Sequence, residues 1–261
     1  MRKGIAIIRL MALALFILFY FSGFLLCLLI VRIAGLSFEK LRNCGMRFWS
    51  AGVCKIFNLR VIAVGSAPKA PFILVLNHLS YLDIIPIFLH TNCTFVAKKE
   101  VRSWPVLGFM VKTMGVIFVD RGRKKDVVRV NNQLRESLNP LQGITLFPEG
   151  TSSGGEEVLP FRSPLLEFPA SEKIPVHVAA LQYETGRGDL PARDSVCFFG
   201  ARDTFLAHLF KMAQTRSITC TITFGERTVE DGDRKTLAKK LHREVIKLFI
   251  PTDISRQSGN G

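Results

Sequence analysis

A chain of 261 residues with 35 Lys and Arg against 21 Asp and Glu carries a formal charge of +14, which calls for an anionic partner such as nucleic acid, an anionic membrane or an acidic, phosphate-bearing substrate. No nucleic-acid-binding module is recognisable and the aromatics are not interleaved with the basic residues, so nucleic acid is excluded; 48% hydrophobic content and 21 Phe against two Trp point instead to lipid-facing or acyl-binding surface. The six cysteines (Cys27, Cys44, Cys54, Cys93, Cys197, Cys220) show no CxxC and no paired His spacing, which excludes a metal site and a disulfide framework and fits a reduced, cytosol-facing protein.

Leu10 to Val31 is 22 residues without a charge, framed by Arg2, Lys3 and Arg9 before it and Arg32 after it. As a helix it extends roughly 33 Å, the thickness of a bilayer's hydrocarbon core. A secretory signal is the competing reading, but the apolar run is too long for one and lacks a clear small-residue cleavage pattern. Phe38 to Leu59 mixes apolar and basic residues, as a helix lying in the membrane interface does. Positive charge on both flanks leaves two topologies open: a full crossing, and a helix that enters one leaflet and returns.

From Leu59 onward, short apolar runs alternate with helical periodicity. The predicted strands are Leu59–Val64, Phe72–Leu76, Thr94–Ala97, Gly115–Val119, Gly143–Phe147, Ile174–Leu181, Val196–Phe199 and Ile218–Phe224. Val127, Val130, Leu134 and Leu138 define one apolar helical face, and Leu237, Leu241, Val245 and Leu248 another. The expected class is α/β, a mostly mixed sheet with covering helices preceded by an N-terminal helical membrane anchor. The expected division is anchoring helices over 1–57, an α/β domain over 58–250 and a flexible tail over 251–261.

Three predicted strands end in chemistry. FILVL runs into Asn77 and His78, with Asp83 five positions beyond His78. A helix would separate that pair by roughly 140°, whereas a strand end, a turn and then a helix allow the carboxylate to fold back onto the imidazole. That is the arrangement of a general base and its orienting acid. The bland alternative is Ser80 and Asp83 as a helix-opening capping box, with His78 a polar turn residue. GVIFVDR ends in Arg121 and a basic run over 123–125, which reads either as a solvated face or as a phosphate grip. LFPEGTSSGG places Glu149 between Pro148 and Gly150, either in a solvated turn or where it accepts hydrogen bonds from substrate hydroxyls.

NHLSYLD, GVIFVDR, LFPEGTSS and IPVHVAAL stand in the order and spacing of the four sequence blocks of the glycerolipid acyltransferases, and the chain resembles in particular the bacterial 1-acylglycerol-3-phosphate O-acyltransferases over about residues 55 to 225. The resemblance implies a membrane-attached enzyme on the cytoplasmic face of the inner membrane. It would move a fatty acyl group from acyl carrier protein or a coenzyme A thioester to a lysolipid hydroxyl, with no permanently bound cofactor. It implies His78 as general base, Asp83 as its orienting acid, and Arg121 and Lys98 as ligands of the acceptor's phosphate. Glu149, Gly150, Thr151 and Ser152 would hold the acceptor, and Ile174 to Val176 would line the acyl-donor side.

The departure is Ser152, where phosphatidate-forming members commonly read EGTR. The expected acceptor is 1-acyl-sn-glycerol-3-phosphate. The alternative is a lyso-ornithine lipid, because EGTS resembles the third block of the lyso-ornithine-lipid O-acyltransferases. A lysophospholipid hydrolase, using water as acceptor, and a non-catalytic lipid-binding relative are the other classes; the intact His78 and Asp83 argue against the last.

Overall fold

The computed structural model describes residues 2–252 except 104–107, 109, 110, 113, 114, 121–123 and 201. The sheet has seven strands: β1 (Leu59–Val64), β2 (Ile73–Val75), β3 (Cys93–Lys98), β4 (Ile117–Val119), β5 (Gly143–Leu146), β6 (Val176–Thr185) and β7 (Ile218–Phe224). Their spatial order is β1-β7-β6-β2-β5-β3-β4. Five strands, β4, β3, β5, β2 and β6, run parallel, while β7 pairs antiparallel with β6 and carries β1 parallel to itself. The sheet is therefore mixed, as expected.

Parallel strands covered on both faces lose the in-out alternation and become continuous apolar runs, which is why Phe72 to Leu76 are buried without exception. Alternate residues serve two cores. Leu74 and Leu76 join Leu181, Tyr183 and Ile222 beneath α1 (Arg2–Ile33), α2 (Phe38–Phe57) and α3 (Ile84–His90). Ile73 and Val75 join Ile144, Leu146 and Val178 beneath α4 (Lys124–Ser137) and, further along, α6 (Arg234–Leu248). The predicted apolar faces account for this layer, because Val130, Leu134, Leu237, Leu241 and Val245 are all buried there. A further helix, α5 (Phe205–Ala213), is N-capped by Thr204, whose side chain accepts from Ala207 N.

Two expectations need correction. Val196–Phe199 is not a strand: Cys197 N donates to Ala192 O, finishing a short helical turn, and Phe198 N donates to Leu79 O. Val196 and Cys197 are buried in the core beneath α1, α2 and α3 without ladder pairing, so apolarity alone misled the reading. The expected flexibility also does not hold at Thr252, which is fully buried and whose N–H donates to Gly155 O at 2.7 Å; residues 253–261 lie outside the described residues.

The N-terminal helices form a hairpin. Tyr20 and Phe24 of α1 pack where Gly45 of α2 leaves room, and Phe16 fills the space beside Gly52. At its start α1 is fastened to the α/β domain: Arg9 donates to the carbonyls of Ala213, the last residue of α5, and of Thr215 and Arg216 just beyond it. Cationic side chains are favourable at such carbonyl-rich ends. Among the described residues, α1 is the one helix long and apolar enough to cross a membrane by length and composition.

Candidate active site

In a parallel sheet the C-terminal strand ends share one edge, and ligands bind in the crevice beyond them. β2, β3 and β5 deliver His78, Lys98 and Glu149 to that edge within a few residues of their last paired positions. Asn77 makes the transition from strand to site. Its side-chain amide donates to Leu181 O at 3.0 Å and accepts from Leu181 N at 2.7 Å, so a buried side chain replaces the ladder pairing with β6 as the backbone turns away.

The chain then folds as the strand-turn-helix reading requires. Asp83 lies in a single 3-10 turn ahead of α3, fully buried, and its Oδ2 is 2.7 Å from His78 Nδ1. The same oxygen accepts from Leu79 N at 2.7 Å and Ser80 N at 3.1 Å. One carboxylate oxygen thus closes the turn, as the helix-opening reading has it, and also contacts the imidazole, as the functional reading requires. Two backbone N–H groups converge on the oxygen that contacts Nδ1; with the proton on Nδ1 that oxygen accepts a third bond and Nε2 presents a lone pair. The imidazole is 26% exposed and lies against Phe147, with ring centroids 4.3 Å apart and planes 27° from parallel. Phe147 stacks in turn on Phe95, which makes an apolar floor.

The third motif wraps the first. Glu149 Oε1 accepts from His78 N at 3.0 Å, and Ser153 N donates to His78 O at 2.9 Å, so both backbone polar groups of His78 are held by the 149–155 loop. Gly150 makes the turn possible, with φ of +73°, a left-handed conformation that glycine adopts without strain. Glu149 is 2% exposed, and burial, aided by the nearby Asp83 charge, pushes its carboxyl up to about 8 against the pull of backbone N–H bonds. That shift favours the neutral acid near neutral pH, and Oε2 is buried.

That shift has a measurable consequence for stability. The unfolded chain releases this proton near its ordinary value of 4.5 and the folded chain retains it to about 8, so stability contributed by Glu149 falls as pH rises between the two. The slope approaches about 1.4 kcal/mol per pH unit. In thermal melts from pH 5 to 9, Glu149→Gln will gain stability relative to wild type as pH rises; parallel profiles would show that the carboxyl ionises normally.

The other expected site residues are less concentrated. Lys98 is exposed at the end of β3, opposite Val119 in register, and two strand spacings, roughly 10 Å, separate β3 from β2. Arg121, with the neighbouring Gly122 and Arg123, lies outside the described residues. Thr151 is exposed, whereas Ser152 is half-buried and its hydroxyl donates to Phe198 O. Ile174 to Val176 stand at the opposite sheet edge, because Val176 is in register with Ile73 at the start of β2 while His78 follows its end. They are therefore separated from the imidazole by about five residues of extended chain, roughly 16 Å. Tyr183, on β6, escaped the sequence reading; its fully buried phenol lies near Asp83, and burial together with the charges of Cys220 and Asp83 pushes it well above its usual range. Asn77 and Phe147 lie within the recognised motifs NHLSYLD and LFPEGTSS, which assigned them no role.

Comparison with known proteins gives the family and the fold. The acyltransferase family model matches residues 58–181, the span from β1 into β6 that carries His78, Asp83 and Glu149. A lyso-ornithine lipid O-acyltransferase of Pseudomonas aeruginosa is 30% identical over 230 residues, covering 86% of this chain and 87% of the relative. A 1-acyl-sn-glycerol-3-phosphate acyltransferase of Neisseria gonorrhoeae is 30% identical over 191 residues, covering 72% and 73%. In fold, the chain is similar to the crystal structure of the 1-acyl-sn-glycerophosphate acyltransferase PlsC of Thermotoga maritima, with a TM-score of 0.66 over 95% of this chain and 98% of that one at 19% identity. The chain belongs to the glycerolipid acyltransferase family and is an acyltransferase.

Proposed function

We propose that the enzyme moves a fatty acyl group from an acyl thioester to the free hydroxyl of a lysolipid with an amino-acid head group, as in a lyso-ornithine lipid. His78 Nε2 takes the hydroxyl proton as that oxygen attacks the thioester carbonyl, and Asp83 stabilises the imidazolium through Nδ1. The C–S bond then breaks, the thiolate leaves and the proton passes to it from His78. The donor thiol belongs to acyl carrier protein or coenzyme A. Glu149 accepts from His78 N and so holds the backbone that carries the imidazole. No covalent acyl-enzyme is required: Gly150 to Gly154 read GTSSG, but no helix follows over 151–163 as a nucleophile elbow needs, and the Ser152 hydroxyl donates to Phe198 O.

The contact between His78 Nδ1 and Asp83 Oδ2 carries the reaction, and Ser152 carries the choice of acceptor. A phosphate monoester is best held by several cations, yet the residue following Glu149, Gly150 and Thr151 is a short hydroxyl already committed to Phe198 O. The P. aeruginosa relative, named for a lyso-ornithine lipid, also aligns over more of the chain than the Neisseria one. Lysophosphatidate is the second reading, favoured by the Neisseria relative and by Lys98 at the same sheet edge. One missing charge-assisted hydrogen bond is worth about 1.5–3 kcal/mol, so wild-type kcat/KM will favour lyso-ornithine lipid over lysophosphatidate by about tenfold or more. The reverse ratio, measured with one acyl donor, would return the assignment to lysophosphatidate.

The same proposal places the enzyme on the inner membrane with its α/β domain toward the cytoplasm, where acyl thioesters are made. Arg9 roots the start of α1 in the domain and α2 returns to it, so we infer that the hairpin enters one leaflet. Exposed Met11, Leu15, Leu18, Phe19, Leu26, Leu29 and Ile30 provide the lipid-facing stripe. Membranes washed in high salt will retain the protein and detergent will release it; release by salt alone would mean that the basic surface is what holds it.

A further inference from the structure

Behind the 149–155 loop is a cavity of about 240 Å³ that the reaction described above does not use. At roughly 30 Å³ per water it has room for about eight water-sized groups. Its lining includes Arg193, Arg202 and Lys211 together with Asp194, Asp203 and Phe199. The charged groups pair among themselves: Arg202 with Asp194 at 3.5 Å, Lys211 with Asp203, and Arg193 with Glu156 outside the lining. Arg193 and Arg202 also approach the Phe199 ring, at 5.7 and 5.1 Å from its centroid.

The cavity and His78 are built from the same two loops. Leu79, next to His78, accepts from Phe198 N, and Ser152 donates to Phe198 O, so the cavity wall is hydrogen-bonded to both the first and the third motif. Gly154 lies directly on this wall: a Cβ there would sit 2.9 Å from the Phe199 ring and 3.2 Å from Arg193 Nε. A side chain at 154 would therefore press into the cavity lining.

We propose that this cavity is the acceptor's head-group site and that it takes a zwitterionic amino-acid head group, with carboxylate toward Arg202 and Lys211 and ammonium toward Asp194 and Asp203. This deepens, and rests on, the reading of the acceptor as an aminolipid. A lining with three cations and two carboxylates suits a ligand that carries both signs. A phosphate monoester brought into it would face both carboxylates, and like charges at close range are unfavourable. The Arg202 and Asp194 side chains are about half exposed, at 53% and 43%, so their ion pair contributes little on its own and exchanges readily for ligand contacts. For the same reason, neutralising Arg202 will not disturb the fold.

The test has a binding arm and a turnover arm, both on the full chain in detergent. In the first, Nα-butanoyl-ornithine, a soluble head-group probe, is titrated by calorimetry into wild type, Arg202→Gln, Lys211→Gln and His78→Ala. Saturable binding is expected in wild type and His78→Ala and about tenfold weaker binding in the two cavity variants. No binding to wild type, or equal binding to all four, would overturn the proposal. In the second arm, Arg202→Gln and Lys211→Gln will raise KM for lyso-ornithine lipid about tenfold, with kcat changed less than about twofold and turnover of an uncharged monoacylglycerol unaltered. Equal losses on both acceptors would mark the residues as structural and overturn the site. If the probe binds as described but wild type acylates only lysophosphatidate, the acceptor assignment falls and with it the cavity's role as the acceptor's head-group site. If lyso-ornithine lipid is acylated with unchanged KM in both variants, the cavity falls and the assignment stands.

Discussion

His78→Ala will lower acyl transfer by about 10²–10⁴-fold, the contribution of a positioned general base, while leaving the fold and membrane attachment intact. The loss will fall on kcat, because the imidazole acts on the hydroxyl proton in the transition state rather than on the bound ground state. The fold will survive because the imidazole is partly exposed and lies against Phe147, whereas the backbone groups of residue 78 keep their bonds to Glu149 and Ser153. Steady-state rates at saturating acceptor, alongside thermal melts, check this. A folded variant within about threefold of wild type would remove His78 from the mechanism.

Asp83→Asn will produce a loss of similar size for a different reason, and with a cost in stability. The amide has one oxygen acceptor and one NH₂ donor. If its oxygen keeps the N–H bonds of Leu79 and Ser80, the imidazolium of His78 loses its charge partner; if its NH₂ turns toward Nδ1, the wrong tautomer is selected. Because Asp83 is fully buried and closes the turn before α3, losing one of these bonds also destabilises the fold by about 1–3 kcal/mol. Asp83→Asn is thus distinguished from His78→Ala by a lowered Tm at comparable inactivity. An Asn variant with normal turnover would show that the carboxylate serves the turn alone.

How much of this was legible in sequence differs from one residue to the next, for physical reasons. β2, β5 and β6 were recognisable because strands buried on both faces must be apolar throughout, and the helical faces of α4 and α6 because packing against a sheet imposes their spacing. The offset between His78 and Asp83 excluded a continuous helix, which left the strand-turn-helix path that the structure follows. Val196–Phe199 was misread because its burial comes from a loop docked on Leu79, a contact between residues over a hundred positions apart. The raised pKa of Glu149 was likewise invisible, since desolvation is a property of the assembled site and not of a Pro-Glu-Gly sequence. Ser152 was legible as a departure, but its bond to Phe198, 46 positions away, was not. The cavity behind that bond draws its charges from residues that in sequence look like ordinary solvated surface.

The most direct test of the account is product analysis. Purified wild type and His78→Ala are each given an acyl thioester with lyso-ornithine lipid or with lysophosphatidate, and thiol release and lipid products are quantified together by mass spectrometry. The account predicts one O-acylated ornithine lipid formed per thioester consumed by wild type, with His78→Ala reduced at least about a hundredfold. Release of free fatty acid in place of the acylated lipid, or product formation that persists in His78→Ala, would contradict it.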